Sequence, residues 1–458
     1  MRRRVMVIGL DCADPRQSFG RLAHACPNLA ALCRRGEHGR LRSTVPPITV
    51  PAWTTMMSGV SPGELGLYGL RARVPGSYQM RVVTAADVLV PRVWEVAARA
   101  SRKAVIVGVP QTYPLPQRQG VDAVSCFLTP SASSPFASPR SLEPELRRLF
   151  GEYKMDVPGF RSLDRARILR ELYAMTAQRF AIAEHLARTR EWDLFMVVDM
   201  GLDRFHHAFW QTWNEDHAAY DADGPFRGEA ERYYAFVDER LGELLSLADD
   251  DTAVLVVSDH GARTLEGGVC VNEALADAGL LALPLRPARP TRLDEAGVDW
   301  DRTVAWAEGG YYARVFLNVR GREPRGALEP GARERVRDEV ARLLRETRGL
   351  GGRSLDTRVV RPEEVYPSCS GAPPDLMVFF GDLAYRAVGS VGHGAHQIAG
   401  CDTGPDGCNH DWDGLYVLAR PGGGSATADR RIEDVGKLVL DLLDVPDGLR
   451  PAALGGAA

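Results

Sequence analysis

Seven residues carry the chemistry this sequence offers. Asp259 and His260 stand side by side in Val256-Val257-Ser258-Asp259-His260-Gly261, at the end of an apolar run. An oxygen and a nitrogen donor in one place suit a divalent cation such as zinc. Asp203 and His207 are four apart in Gly201-Leu202-Asp203-Arg204-Phe205-His206-His207, so a helical turn puts them on one face while His206 points elsewhere. Asp11 closes the first apolar run, and His410, in Asn409-His410-Asp411-Trp412, precedes the last. Each alone has an ordinary structural role, as a turn cap, an Asp–His contact or a core histidine. Together they form two ligand sets: Asp11, Asp259 and His260 beside Thr49, and Asp203, His207 and His410 facing them. Two cations about 4 Å apart suit an in-line displacement at phosphorus. One would activate the Thr49 hydroxyl, which needs such help to attack, and the other would steady the leaving oxygen and later activate water.

These residues need elements that hold them. Thr49 sits in Val45-Pro46-Pro47-Ile48-Thr49-Val50-Pro51-Ala52-Trp53. Pro46 and Pro47 keep the approach extended, and Pro51 suits the first turn of a helix through Met57 that stops near Gly59. Thr49 therefore falls at a helix N-terminus, where it either caps the helix or meets an anion such as phosphate. Short apolar runs read as buried parallel strands: Val5 to Leu10, Ala104 to Val109, Leu194 to Val198, Ala253 to Val257, Leu376 to Phe380 and Leu415 to Leu418. Helical patterns at Ala166 to Arg190 and Tyr233 to Leu247 lie between them. The expectation is α/β, an αβα sandwich with a mostly parallel central sheet and a smaller inserted cap region. One catalytic domain spans 1–458, with a Pro/Ser/Gly-rich loop or lid at 111–144 and an inserted subdomain at 281–366. Inside the insertion, Thr303 to Arg322 reads as a strand pair and Ala332 to Thr347 as a charged helix.

The bulk numbers narrow the partners. A chain of 458 residues with 45% hydrophobic content can bury a large core. Its net charge of -4 gives no electrostatic case for a nucleic acid polymer or an anionic membrane. Lysine appears only at Lys103, Lys154 and Lys437, the mark of coding bias. The apolar run after the basic N-terminus is too short for a signal peptide and no run crosses a bilayer, so the expected location is the cytoplasm. The 8 cysteines are scattered without zinc-finger spacing and are expected as free thiols, with Cys401 and Cys408 able to pair only under oxidation.

The order Asp11, Pro47-Ile48-Thr49-Val50-Pro51-Ala52-Trp53, Asp203 with His207, Ser258-Asp259-His260-Gly261 and His410 resembles the alkaline phosphatase superfamily, most closely its type I phosphodiesterase/nucleotide pyrophosphatase branch. Ser58-Gly59-Val60-Ser61-Pro62-Gly63, Phe127-Leu128-Thr129-Pro130 and Pro374-Asp375-Leu376 extend the resemblance across the chain. It implies two catalytic metals, most often zinc with manganese as the other choice, and a covalent phospho-threonine at Thr49, counted as nucleophile and metal ligand. The implied substrate is a small phosphate ester, either a phosphodiester or a phosphoanhydride. Leu65 stands where the family often has His, and Leu70, flanked by Arg71 and Arg73, stands near its phosphate-contacting Asn. The alternatives are a phosphomonoesterase, phosphonate hydrolase or phospho-group transferase of the same superfamily, or a non-catalytic binding module. Retention of all six candidate ligands and the nucleophile argues against the last.

Overall fold

Alternation along one strand sets the architecture. In β1 (Arg4–Leu10), Val5 and Val7 point into one apolar core while Met6, Ile8 and Leu10 point into another, so the strand is covered on both faces. In the computed structural model, which describes residues 3–115 and 117–449, β1 lies at the centre of a ten-stranded sheet. The other strands are β2 (Glu37–Arg42), β3 (Ala104–Val107), β4 (Val121–Val124), β5 (Ala137–Ser138), β6 (Leu194–Asp199), β7 (Thr252–Val257), β8 (Asp413–Ala419), β9 (Ala426–Thr427) and β10 (Arg430–Arg431). Their order is β9-β2-β8-β7-β1-β6-β3-β4-β5, with β10 also on β2. β1 runs parallel to both β6 and β7, with Gly9 in register with Val198 and Val257.

Helices cover both faces: α1 (Pro27–Arg35), α2 (Thr49–Ser58), α3 (Val93–Arg99), α4 (Arg165–Thr189), α5 (Gly201–Phe209), α6 (Glu229–Leu245) and α7 (Val435–Leu442). Apolar residues of α1, α4, α5 and α6 share a core with Met6 and Ile8, and those of α2, α3 and α7 share one with Val5 and Val7. The fold is an αβα sandwich. Among the described residues, no helix is long and apolar enough to cross a membrane.

Two apolar runs read as parallel strands are placed differently. Leu376–Phe379 belongs to a separate antiparallel sheet of four strands with Ala305–Glu308, Ala313–Leu317 and Arg358–Val360. It is buried on both sides, and periodicity alone cannot say which sheet buries it. β8 lies in the main sheet but runs antiparallel to β2 and β7. It follows directly from the strand Cys408–Asp411 at the carboxyl ends of the parallel strands, so it must run back across the sheet. The 111–144 stretch, expected as loop or lid, carries β4 and β5 on the sheet edge; residue 116 lies outside the described residues. Leu376–Phe379 and the strands Gly267–Cys270 and Tyr385–Val388 share one core with the helix Arg333–Arg345 and form a second layer.

Close packing below the site depends on Gly9. A Cβ there would stand 2.8 Å from Val198 Cγ2 and closer still to the Trp53 ring, while the Trp53 indole N–H donates to Asp11 Oδ2 at 2.7 Å. Gly9→Ala is expected to cost about 1–3 kcal/mol through overpacking. Equilibrium denaturation checks this, and an unchanged midpoint would refute the packing argument.

Candidate metal centre

Three adjacent parallel strands end at one place. Asp11 follows β1, and its backbone N–H donates to the Asp199 carbonyl at 3.0 Å. β6 leads through Met200 into α5, which carries Asp203 and His207. β7 ends in Ser258-Asp259-His260. The carboxyl ends of parallel strands are where open α/β sheets gather ligands. His410 comes from late in the chain on an antiparallel ribbon, Gly261–Thr264 with Cys408–Asp411, where it lies in register with Ala262. Thr49 opens α2, preceded by extended Ile48, and Gly59 closes that helix in the left-handed region at φ 65°.

The structure brings all seven residues together as two sets. His260 Nε2 lies 3.6 Å from Asp11 Oδ1, 3.3 Å from Asp259 Oδ2 and 3.4 Å from Thr49 Oγ1. Asp203 Oδ1 lies 3.4 Å from His207 Nε2 and 3.5 Å from His410 Nε2. The His260 and His410 rings stack with centroids 3.6 Å apart, which sets the two groups face to face. The same seven residues include two clusters whose donor atoms all lie within 4.8 Å of one another: Asp11, Asp259 and His260, and Asp203, His207 and His410.

Backbone carbonyls fix the imidazoles. His260 Nδ1–H donates to the Gly261 carbonyl at 3.0 Å and His410 Nδ1–H to the Pro47 carbonyl at 2.8 Å, turning each Nε2 inward. His207 donates from Nδ1 to Asp406 Oδ1 at 2.8 Å. Carbonyl and carboxylate partners of this kind set the tautomer of a metal-binding histidine. Asp11 Oδ1, Asp259 Oδ2, Asp203 Oδ1 and His410 Nε2 are among the buried side-chain atoms that have no hydrogen bond. Buried polar atoms are almost always partnered, and these four all belong to the candidate ligands. The donor set of carboxylate oxygens and imidazole nitrogens fits divalent cations.

Electrostatics agree with this. Burial, then the Asp203 charge, pushes the Asp11 carboxyl well up, and burial, then Asp11, does the same to Asp259. Burial, then His410, drives the His260 imidazole down, and burial lowers His410 to about 4. For Asp203, burial acts upward but is outweighed by His207 and Arg204, which leave it well down. For His207, burial acts downward but is outweighed by Asp406 and Cys408, which leave it well up.

Several neighbours escaped the sequence reading. Arg204 pairs with Asp203 and holds Asp156 at 2.7 Å. Asp406 lies in the Gly-rich loop between Cys401 and Cys408, which has no periodicity to mark it. Tyr311 comes from a turn inside the second layer. Cys12, at φ 61°, turns its N–H toward Asp259 Oδ1 at 3.3 Å. His206 points away from both sets, to Cys12 Sγ at 3.4 Å and Tyr234 Oη at 2.9 Å. Arg73 is buried in an ion pair with Glu323 and lies over the Phe316 ring at 5.0 Å, so it is committed to the second layer and not to a phosphate oxygen. Arg71 is exposed, and its carbonyl accepts from Arg314. All eight cysteines are free.

A family model described as Type I phosphodiesterase / nucleotide pyrophosphatase matches residues 5–413. No curated protein matches the chain. Among solved structures, phosphonoacetate hydrolase from Sinorhizobium meliloti 1021 in complex with phosphonoacetate is similar at 16% identity and a TM-score of 0.65, over 96% of both chains. Its complex with phosphonoformate gives a TM-score of 0.64 at the same identity and coverage. Human ectonucleotide pyrophosphatase/phosphodiesterase 5 is similar at 11% identity and a TM-score of 0.54, over 98% of this chain and 96% of that one.

A cation entering the first set must displace the protons that burial holds on Asp11 and Asp259, and one entering the second must displace the proton on His207. Affinity for zinc is therefore expected to rise with pH, by about tenfold per unit for each proton released. Competition against a chromophoric chelator reads this directly, and a flat profile would contradict the proton assignment.

Proposed function

This chain belongs to the type I phosphodiesterase/nucleotide pyrophosphatase family, a metal-dependent family of phosphoester-type hydrolases, and on that premise we propose that it cleaves a phosphodiester or phosphoanhydride with Thr49 as the attacking group. The observation that carries the reading is the position of the Thr49 hydroxyl. Oγ1 lies at the N-terminal end of α2, 3.4 Å from His260 Nε2, which itself lies 3.6 Å from Asp11 Oδ1 and 3.3 Å from Asp259 Oδ2. Asp11, Asp259, His260 and Thr49 would hold one cation, and Asp203, His207 and His410 the other, with zinc the choice the donors favour and manganese the alternative. Bound there, the cations supply Lewis acidity at the hydroxyl and at the phosphoryl oxygens.

The chain's own residues do the rest. Thr49 Oγ1 gives up its proton to solvent and forms a bond to phosphorus as the bond to the leaving oxygen breaks, and that oxygen departs with the electron pair. Water then attacks phosphorus in phospho-Thr49, the Oγ1–P bond breaks, and Oγ1 takes back a proton as the free hydroxyl. Trp53 holds Asp11 from behind, and the Gly261, Pro47 and Asp406 acceptors keep the three imidazoles aimed inward. The first turn of α2 brings its backbone dipole to bear on the phosphoryl group. The likeness to phosphonoacetate hydrolase, over 96% of both chains, supports a second reading in which the same attack at phosphorus expels carbon.

Thr49→Ala is expected to retain both metals yet lose turnover by at least about 10³-fold, because only the attacking oxygen is gone. Metal analysis with a panel of diesters, phosphoanhydrides, monoesters and phosphonates checks it, and peptide mass spectrometry of quenched wild-type reactions should find the phosphoryl group on Thr49. An active Thr49→Ala enzyme would falsify the covalent route.

A further inference from the structure

The wall beside Asp203, His207 and His410 carries polar groups that the chemistry at phosphorus leaves without a task. Tyr311 lies between the strands Ala305–Glu308 and Ala313–Leu317. Its ring packs on His410 with centroids 3.8 Å apart, and its hydroxyl lies 3.3 Å from His207 Nε2. Arg161 donates from Nη2 to that hydroxyl at 3.0 Å and from Nε to Asp406 Oδ2 at 2.7 Å. Arg386 reaches the same Asp406 oxygen at 2.7 Å, and His207 takes the other. Among the described residues, neither guanidinium forms a second ion pair. One carboxylate therefore faces two guanidiniums, and one positive charge is left over at a largely buried wall. Excess charge in such a place is costly unless an anion meets it.

The position of that charge matters. Thr49 attacks from the side of His260, so in-line departure carries the leaving group toward His207 and His410, where Arg161 and Tyr311 stand. We propose that Arg161 and Tyr311 determine specificity by binding an oxyanion carried by the leaving group, so that favoured substrates bear a second anionic group beyond the scissile bond. A phosphoanhydride and a phosphonocarboxylate both have one. The assignment rests on Thr49 as the attacking group. The hydroxyl of Tyr311 already accepts the Arg161 N–H. With His207 Nε2 engaged by a cation, its own proton is free for an acceptor, and the leaving group's oxyanion is within reach. The Arg161 side chain is 19% exposed, and a charge-assisted hydrogen bond to its guanidinium is stronger than a neutral one.

Calorimetry on zinc-loaded protein tests this with inorganic phosphate, imidodiphosphate and phosphonoacetate as probes, the last compared also in the Thr49→Ala background, where no attacking oxygen is present to turn it over. The wild type is expected to bind imidodiphosphate or phosphonoacetate at least about tenfold more tightly than phosphate, and the tighter of the two identifies the leaving group. Arg161→Gln should bring that ratio close to unity, and Tyr311→Phe should reduce it several-fold. No preference in the wild type, or a preference that survives in both variants, overturns the proposal. Tyr311→Phe keeps the ring on His410, so the result stands even if Arg161→Gln fails to fold. An active Thr49→Ala enzyme would sink the nucleophile assignment while leaving these binding ratios readable.

Discussion

The centre is constrained by charge that has been taken out of water. Asp11 and Asp259 are fully buried, and one oxygen of each lacks any hydrogen bond. Their other oxygens accept from the Trp53 indole and the Cys12 backbone, neither of which carries charge. An unpaired buried ion costs several kcal/mol even after relaxation, against a total stability of about 5–15 kcal/mol for a folded domain. Two such carboxylates side by side would take up most of that margin. They must either hold protons, which is what the raised pKa values describe, or share a cation. The second set is less demanding, because Arg204 already pairs with Asp203. The two sets are thus unequal: a divalent cation is owed in full to Asp11 and Asp259 and only in part to Asp203.

That inequality follows from the sheet. β1, β6 and β7 are neighbours and parallel, so their carboxyl ends deliver Asp11, α5 and Asp259 to one rim without any long loop. His410 is not delivered by a parallel strand. It comes instead on a ribbon that turns straight into β8, and this explains why β8 runs against its neighbours. The same reversal stacks His410 on His260 and joins the two halves of the centre.

What could be read from sequence follows the same division. The runs at Val5 and Ala253 are apolar and are followed within two residues by Asp11 and Asp259, so strand and site were visible in one pattern. The four-residue spacing of Asp203 and His207 placed them on one helical face, and His206 indeed points away. Burial alone was not enough for Leu376 to Phe379, which is as apolar as a central strand yet pairs in the second layer. Asp406, Tyr311 and Arg161 were not visible at all. They lie in turns and loops, where no periodicity operates, and their roles arise from contacts across 150 to 245 positions of sequence. Arg73 stands near a phosphate-contacting position in sequence, yet its side chain is claimed by Glu323.

The outer wall is not an independent addition to this centre. Asp406 accepts from His207 with one oxygen and from Arg161 and Arg386 with the other, so a ligand of the second set and the groups facing the leaving group hang on one carboxylate. Tyr311 makes a second link, through its ring to His410 and its hydroxyl to His207. In many folds the chemistry is fixed by the core and specificity by loops that vary freely. Here a change in the loop that moves Asp406 moves a metal-facing imidazole as well. On the proposed reading, selectivity for the leaving group and affinity for a second cation are therefore coupled through a shared set of hydrogen bonds, while the first set, anchored on Trp53 and the ends of β1 and β7, stands apart from that coupling.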